Sequence, residues 1–392
     1  MIKLYNMNLN KLKIVTVLHY YATGPGQELH QWLCDNHICR SMLIEHSFPF
    51  SSRDYARIES VDSSGNKTVK KLNRKKLPIY FGYFLDFFRT LRILKNEKFD
   101  IYVGNGCFDS LAGIVAKWLG KTDKVVLYTI DYAPNAGGKL YAFLYRSIDR
   151  FCCYHVDTIW NLSDRMHEAR LADGMNEKRC ASAFRVPHGT HAKKMRLLIP
   201  ENPNKYAVAF MGHILKKSGL QLFMKGMKPL LDEMPEIHLE VLGGGEYLDS
   251  LKSLSKELGI EKNVTFYGFI ENHDELEKKL AQCGIGLALY SPEEAGFSYC
   301  ADPGKLKVYL ACGLPIIVVG VPQVADEIDE RGAGVKIDYD IKSMTHALKK
   351  ILDNYEEYKS NALEMADEYD WDNVFRKALE KLGCIFEHTN IT

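Results

Sequence analysis

The sequence predicts an α/β protein of two doubly wound domains, each built on a parallel sheet. Short apolar strands alternate with longer helical patterns along all 392 residues, and about 100–200 residues per domain gives two domains. The formal net charge of +1 is unevenly divided, because residues 1–200 carry +12 and residues 201–392 carry −11. We predict an N-terminal domain over residues 1–199, with a terminal helix at about 371–392 packing back on it, and a C-terminal domain over 200–370.

Composition excludes several classes of protein. The 46% apolar and 26% charged content is typical of a folded globular chain and excludes disorder. No stretch approaches the roughly 18 uninterrupted apolar residues of a membrane-spanning helix, and the first twelve residues lack the apolar core of a signal peptide. The ten cysteines include no CxxC pair, so we interpret them as small buried hydrophobes in a reducing cytoplasm.

The two halves of the chain repeat one pattern. In the first half, strand candidates lie at 13–18, 101–103, 125–130 and 158–160, with helical patterns at 27–35, 110–119 and 138–151. After a polar, proline-containing linker at 197–205, further strand candidates lie at 206–211, 239–242, 264–267, 285–290 and 315–319. Near-continuous apolar strands with helices between them are typical of parallel sheets covered on both faces. Ligands of such sheets bind beyond the carboxyl ends of the strands, so we expect two domains facing a ligand cleft.

Several loops after predicted strands suit a phosphate-rich ligand. Gly24-Pro-Gly26 lets backbone amides approach an anion at the start of a helix, although it is not a GxGxxG motif and a plain strand–helix turn explains it equally well. Gly212-His213 is followed by Lys216 and Lys217, which can neutralise a diphosphate or form an ordinary solvated charge pair. Gly243-Gly244 permits close approach of the backbone to a ligand. Phe269-Ile270 would form a platform for a flat base.

Taken in order, these segments resemble the C-terminal half of glycosyltransferase family 4, which are retaining enzymes with the GT-B fold. The resemblance runs from about residue 207 to 371 and closes with Lys305-Leu-Lys-Val-Tyr-Leu-Ala-Cys-Gly-Leu-Pro, similar to the family's helix "Lys-Leu-x-Glu-Tyr-Leu-Ala-x-Gly-x-Pro". It implies a nucleotide diphosphate sugar as donor and co-substrate, and no cofactor.

Two departures from the family pattern affect the predicted donor site. Glu294-Ala-Gly-Phe-Ser298 is similar to the start of the family's paired-glutamate motif, but the position of its second glutamate is Val308. Ribose recognition would then fall to Lys305, Tyr309 or backbone amides, with Ser298 nearby. The usual arginine after the first glycine is His213, which leaves Lys217 as the expected phosphate cation and Lys216 as its rival.

The N-terminal half carries fewer diagnostic residues. Asp131 ends a strand where relatives place a His-Asp pair, and we predict that it positions the acceptor hydroxyl or donor sugar; a helix N-cap is the competing interpretation. His188 lies in a segment similar to the family's interdomain "Pro-Asn-Gly" and is predicted to act as a hinge first and a ligand contact second. Asp338-Tyr-Asp340 has the DxD spacing of metal-dependent enzymes but lies away from the donor loops, so we predict no metal.

A basic stretch over residues 67–76 holds six positive charges in ten residues, and an aromatic run at 80–88 follows it. Basic residues beside aromatic ones suit an anionic membrane surface. A nucleic acid is the competing partner, but no recognition module accompanies the patch, so we predict none. A solvated basic loop leading to a core helix explains the pattern equally well.

Together these features predict a cytoplasmic, retaining, metal-independent hexosyltransferase, peripheral on the membrane if the basic stretch binds lipid. Its catalytic residues would be Asp131, Glu294 and Lys217, and its acceptor a glycan or lipid-linked glycan of the cell surface. Two alternatives stay open. A sugar-nucleotide epimerase shares the fold, and a non-catalytic partner subunit would also tolerate Val308 and His213.

Overall fold

The computed structural model describes residues 7–8, 11–36, 40–48, 53–73, 79–294 and 296–385. The chain divides into two compact units, the first formed by residues 1–187 and 374–392 and the second by residues 188–373.

Both units are built from strands and helices in alternation. In chain order the described strands are β1 (Met7–Asn8), β2 (Lys13–Tyr20), β3 (Arg40–Ser47), β4 (Tyr55–Val61), β5 (Lys67–Asn73), β6 (Phe99–Asn105), β7 (Thr122–Thr129), β8 (Thr158–Asn161), β9 (Ser182–Arg185), β10 (Asn204–Met211), β11 (His238–Leu242), β12 (Val264–Gly268), β13 (Cys283–Ala288), β14 (Ile316–Val319), β15 (Gly334–Ile337) and β16 (Cys384–Ile385). The described α-helices are α1 (Pro25–Asp35), α2 (Ile79–Leu94), α3 (Cys107–Trp118), α4 (Lys139–His155), α5 (Asp164–Ala172), α6 (Ala192–Arg196), α7 (Leu220–Glu233), α8 (Leu248–Leu258), α9 (His273–Leu280), α10 (Gly304–Ala311), α11 (Val324–Glu330), α12 (Ile341–Asp353), α13 (Tyr355–Glu368) and α14 (Trp371–Lys381).

The first unit contains an eight-stranded sheet in the order β5-β4-β3-β2-β6-β7-β8-β9. Pairing is parallel from β3 through β9, as the near-continuous apolar strands predict. Ile14 in the central strand β2 lies opposite Ser41 on one side and Ile101 on the other, and it is fully buried. A separate two-stranded parallel pair joins β1 to β16.

One edge of this sheet differs from the sequence prediction. Residues 67–73, interpreted as part of a basic loop or membrane patch, form the edge strand β5, paired antiparallel with β4, which pairs antiparallel with β3. This antiparallel meander was not predictable from the sequence, because β5 lacks an alternation of apolar and polar residues. Every residue of β5 except the half-buried Leu72 is exposed. Arg74, Lys75 and Lys76 lie outside the described residues.

The second unit contains a six-stranded sheet in the order β12-β11-β10-β13-β14-β15, and every pairing is parallel. Buried side chains cover both of its faces: Phe210, Leu239 and Leu287 belong to one hydrophobic cluster, and Ala209 and Ile316 to the other. The predicted fold class, α/β with two doubly wound parallel-sheet domains, is confirmed.

The first boundary between the units lies at residues 187/188, whereas the sequence placed it at 199/200. The segment after His188 joins the second unit because Thr190 donates its N–H to the carbonyl of Tyr369 at 2.8 Å and accepts a hydrogen bond from the N–H of Trp371 at 3.0 Å. The chain returns to the first unit at Val374, inside α14, rather than at 371.

The cysteines for which the structure describes a state are free thiols: Cys34, Cys107, Cys152, Cys153, Cys180, Cys283, Cys300 and Cys312. Most of them are buried, and burial raises the pKa of the Cys107 and Cys152 thiols well above the ordinary value. Over the residues that the structure describes, no helix combines the length and apolar character needed to cross a membrane.

Candidate active site

Three loops meet at the carboxyl edge of the second sheet, where the sequence placed its glycines and lysines. The N–H of Gly212, directly after β10, donates to the carbonyl of Leu242 at 3.0 Å, and Ile214 donates to the carbonyl of Gly244 at 2.9 Å. Gly243 is in turn bridged to Gly268 at the end of β12. The loops after β10, β11 and β12 are therefore joined backbone to backbone, which gives this edge a fixed shape. We call it the donor edge, after the donor site that the sequence predicts there.

Glycine is required at one point of the donor edge because two backbones approach each other. A Cβ atom at Gly243 would collide with the carbonyl oxygen of Gly212, and a backbone atom cannot swing aside as a side chain can. At Gly244 a Cβ would lie 3.5 Å from the Cβ of Phe269, which is ordinary van der Waals contact.

We expect Gly243→Ala to lower the free energy of unfolding by about 1–3 kcal/mol, because the added methyl overpacks a backbone contact. It should also weaken nucleotide binding at least about tenfold by spreading the donor edge, a loss of about 1.4 kcal/mol. Urea unfolding and calorimetric titration would measure both effects. Gly244→Ala is the matched control, and equal losses in the two variants would contradict the steric argument.

Lys216 and Lys217 lie on a single helical turn, Lys216–Ser218, between β10 and α7. The hydroxyl of Ser218 fixes this turn, since it donates to the carbonyl of His213 at 3.0 Å and accepts from the N–H of Leu215 at 3.2 Å. Lys216 and His213 are exposed and Lys217 is half-buried. The turn leads into the N-terminus of the fourteen-residue helix α7, where the helix dipole favours an anion. Cations and helix dipole thus act on the same side of the donor edge.

Phe269 is 78% exposed directly after β12, and Ile270 beside it is half-buried. A phenyl ring left in water next to glycine backbone provides a flat apolar surface on which a base can stack. The structure therefore brings Gly212, His213, Lys216, Gly243, Gly244 and Phe269 to one edge, as predicted from their loops.

Lys305 and Tyr309 lie on α10, where the family pattern suggested ribose contacts. The Nζ of Lys305 lies 4.7 Å from the ring centre of Phe210 and 4.6 Å from that of Tyr290, and burial lowers its pKa to about 8. Tyr309 is fully buried, and its hydroxyl accepts a hydrogen bond from the N–H of Met211 at 2.6 Å. This contact ties α10 to the end of β10, so Tyr309 supports the donor edge from beneath.

The other residues considered in the second unit are Glu294, Ser298, His188 and Asp340. Glu294 ends the helical turn Pro292–Glu294, but its side chain lies outside the described residues; Ser298 is half-buried in the turn Gly296–Tyr299. His188 begins the second unit, and its N–H donates to Oδ2 of the buried Asp302 at 2.8 Å, while Oδ1 pairs with Lys307. Asp340 of the DxD sequence caps α12 by accepting the N–H of Ser343 at 2.8 Å.

In the first unit, Asp131 follows β7 at the carboxyl edge of the eight-stranded sheet. It is not a helix N-cap, because α4 begins at Lys139 after Gly138. Neighbouring protein atoms desolvate its carboxyl and raise its pKa, although part of the side chain stays exposed to solvent. A carboxyl with a raised pKa and access to solvent suits a residue that exchanges a proton with a hydroxyl.

Gly24 and Gly26 lie at the same edge, at the start of α1. The N–H of Gly24 donates to Oε1 of Gln27 at 3.0 Å, and a Cβ at Gly26 would collide with the side-chain amide of Asn105 at the end of β6. No prediction from the sequence named Asn105, whose buried Oδ1 has no hydrogen-bond partner among the described residues. Its position between a strand end and Gly106 was the available signal.

A buried charged cluster at this edge was also not predicted from the sequence. Nδ1 of His19 lies 2.9 Å from Asp109 and Nε2 lies 3.4 Å from Asp86, while Nδ1 of His46 lies 3.4 Å from Asp86. Nε2 of His46 is 2.7 Å from the hydroxyl of Thr90 on α2. Burial alone lowers the pKa of His19, but the two carboxylates outweigh it and raise it to about 9. The cluster fixes α2 against β2 and β3.

This raised pKa predicts a pH dependence of stability. Folded His19 titrates near pH 9 and an unfolded histidine near 6.5, so the protonated cluster contributes about 3 kcal/mol below pH 6.5. That contribution should fall as the pH rises through 9. Urea unfolding at pH 6.5, 7.5 and 9 should show the decline, and Asp109→Asn should flatten it. An identical decline in the variant would contradict this assignment.

Comparison with known proteins bears on the family and the fold. Residues 193–365 match the family model described as glycosyl transferases group 1. The chain has the fold of HepE from Anabaena, solved in complex with UDP, with a TM-score of 0.66 and 13% identity over 94% of this chain and 99% of that one. The second unit is similar in sequence to the group 1 glycosyltransferases. The predicted GT-B fold and enzyme class are thereby confirmed.

Curated relatives of this glycosyltransferase are distant. It is 25% identical over 190 residues to an uncharacterized glycosyltransferase of Methanocaldococcus jannaschii, an alignment that spans 45% of this chain and 46% of that protein. It is 21% identical over 301 residues to the O-antigen biosynthesis glycosyltransferase WbnH of Escherichia coli, covering 74% of this chain and 78% of that protein.

Proposed function

We propose that this glycosyltransferase moves a hexosyl group from a nucleotide diphosphate sugar to a glycan or lipid-linked acceptor in cell-surface polysaccharide biosynthesis. The O-antigen role of the Escherichia coli relative and the UDP complex of the Anabaena protein support the acceptor and donor classes. A cytoplasmic location, expected from the free thiols, belongs to the same proposal.

The observation that carries the proposal is the composition of the donor edge. It combines backbone joined through Gly212 and Gly243, the cations of Lys216 and Lys217, and the exposed ring of Phe269. Closely approaching backbone and cations suit a diphosphate, and an exposed aromatic ring suits a base. Lys217 would offset the charge that builds on the departing diphosphate, and Phe269 would stack on the base.

The sugar and the acceptor would be held by carboxylates. Glu294 would contact the donor sugar. Asp131, whose pKa is raised by burial, would accept a hydrogen bond from the attacking acceptor hydroxyl. Exclusion of water from the bound donor would favour transfer over hydrolysis. Retention of configuration follows from the family resemblance and is part of the proposal.

We further propose that transfer needs no metal ion. The lysines and the N-terminus of α7 supply positive charge at the donor edge. Asp340 of the DxD sequence is engaged as a helix cap, and its hydrogen bonds to Ser343 lower its pKa. Activity should therefore survive exhaustive treatment with EDTA.

A panel of UDP-, GDP- and ADP-sugars tests the proposal through thermal shift and release of the nucleoside diphosphate. We expect at least one donor to raise Tm and to be hydrolysed slowly without an acceptor. Proton NMR of the product formed from an α-linked donor should show an α-linkage. A β-linked product would reject retention, whereas conversion of the donor into an epimeric sugar nucleotide would indicate the epimerase. Absence of binding by every donor would reject the enzyme proposal.

A further inference from the structure

Helix α2 presents an aromatic face to solvent. Phe81, Phe84, Leu85 and Phe88 are 53%, 57%, 37% and 51% exposed, and their spacing places them on one side of the helix. The ring centres of Phe81 and Phe84 lie 6.3 Å apart, and those of Phe84 and Phe88 lie 4.9 Å apart, so the face is continuous. A contiguous apolar face of this kind marks an interaction surface.

The opposite side of α2 is anchored in the first unit. Asp86 and Thr90 are each 1% exposed and contact His19 and His46 of the central strands. Removing these polar groups from their partners would leave charges buried and unpaired. The helix therefore cannot rotate to bury its aromatic face, and that face stays directed outward.

A groove of about 1020 Å³ lies beside the aromatic face, between α2 and the outer strands of the sheet. Five cationic side chains line it: Arg40, Lys70, Lys71, Arg89 and Arg92. The carboxylate in the lining is Glu97, which is paired with Arg40 at 2.9 Å. Phe88 belongs to both the groove and the aromatic face. An apolar surface thus borders directly on a cationic groove.

The cations of this groove differ in whether they already contact a carboxylate or an aromatic ring. Arg89 is paired with Asp86 at 2.6 Å, and Lys71 lies 4.7 Å from the ring centre of Tyr55. Neither Lys70 nor Arg92 has an ion-pair partner within the part of the chain that the structure describes. Lys67, which belongs to the same basic stretch of the sequence as Lys70 and Lys71, is paired with Glu59 at 2.5 Å.

We propose that the aromatic face of α2 and its neighbouring groove, which together we call the α2 surface, dock on an anionic membrane. Phe81, Phe84 and Leu85 enter the boundary between headgroups and acyl chains, while Lys70, Lys71 and Arg92 contact lipid phosphates. The two kinds of side chain lie side by side, as the layers of a membrane interface require. The inference uses residues of the first unit alone and does not depend on the donor edge.

Vesicle co-sedimentation of the full chain tests this proposal. The protein should sediment with vesicles of phosphatidylcholine and phosphatidylglycerol at 3:1 but not with phosphatidylcholine alone, and salt should weaken the binding. Lys70→Gln/Lys71→Gln/Arg92→Gln should partition about 100-fold more weakly, since each cation contributes about fivefold to the affinity for an anionic surface. Phe84→Ser/Leu85→Ser should lose at least about tenfold.

Two matched controls distinguish binding through the α2 surface from a general effect of lost positive charge or lost exposed apolar residues. Leu140→Ser/Phe143→Ser removes a leucine and a phenylalanine of α4 that are 64% and 67% exposed. Lys225→Gln/Lys228→Gln/Lys262→Gln removes three charges from exposed positions of the second unit. Both controls should bind vesicles like the unaltered chain, and all variants should keep its Tm and its affinity for nucleotide.

The proposal is wrong if the unaltered chain does not bind anionic vesicles, or if the controls lose as much binding as the α2 variants. It is equally wrong if the chain forms a dimer that ignores vesicles and dissociates on Phe84→Ser/Leu85→Ser, because the α2 surface would then contact a second copy. Loss of nucleotide binding in every protein would reject the proposed function while leaving the vesicle result interpretable.

Discussion

Arg170→Met is expected to lower the free energy of unfolding of the first unit by about 3–5 kcal/mol. Arg170 is 1% exposed, and its guanidinium donates to both oxygens of Asp149, at 2.7 and 2.9 Å. It also donates to Asn161 and to the hydroxyl of Thr129, each at 2.8 Å. Removing the cation leaves the carboxylate of Asp149 buried without a countercharge.

Several comparisons test the origin of this loss. Arg146→Met is the matched control, because Arg146 pairs with Asp173 at the surface and should contribute less than about 1 kcal/mol. Adding Asp149→Asn to Arg170→Met should restore part of the stability by removing the unpaired charge. Three of the four tryptophans, at 32, 118 and 160, lie in the first unit, so fluorescence during urea unfolding reports mainly on it. Equal losses for Arg170→Met and Arg146→Met would contradict the argument.

Arg170 also has a consequence for the candidate site. Its hydrogen bonds join the end of β7 at Thr129 to the end of β8 at Asn161. Thr129 lies two residues before Asp131 in the chain. Arg170→Lys would keep the charge but lose the two-pronged contact with Asp149. We therefore expect this variant to fold with intermediate stability.

Lys217→Ala is expected to lower the turnover number about 100- to 1000-fold, with a smaller effect on folding. In the proposed mechanism, its ammonium group balances charge that appears on the diphosphate only as the glycosidic bond breaks. The affinity for free nucleoside diphosphate should fall by about tenfold or more, the contribution of a charge-assisted hydrogen bond. Initial rates of donor hydrolysis or transfer and calorimetric titration with the nucleoside diphosphate separate the two effects.

Controls for Lys217 come from the same region of the second unit. Lys225→Ala removes an exposed lysine of α7 and should leave turnover unchanged. Lys216→Ala distinguishes the rival cation, and a larger loss there would transfer the role to Lys216. Turnover of Lys217→Ala within threefold of the unaltered enzyme would exclude Lys217 from the chemical step.

Local pattern was sufficient for the parallel strands and for the loops of the donor edge. Central strands such as β2 and β7 are buried on both faces, so they appear in the sequence as apolar runs that need no partner to be recognised. The loops after β10, β11 and β12 were located because a glycine or lysine directly after a parallel strand lies at the carboxyl edge. Their roles with the donor stay predictions.

Features that depend on distant residues were missed or misjudged. The exposed strand β5 was interpreted as loop because its pairing with β4, and not its own composition, makes it a strand. The unit boundary at 187/188 depends on hydrogen bonds between Thr190 and the chain near residue 370. Nothing in the sequence of residues 188–199 indicates that this segment pairs with the chain near residue 370.

The sequence by itself determined the fold class and the loops that form the donor edge, because strand burial and glycine placement are encoded within a few neighbouring residues. The enzyme class came from the family resemblance of the C-terminal half. The tertiary structure decided which buried charges are matched. His19 meets Asp86 and Asp109, and Arg170 meets Asp149, across many intervening residues. It also decided that the aromatic residues of α2 face outward, because the orientation of a helix is set by the groups that anchor its other side.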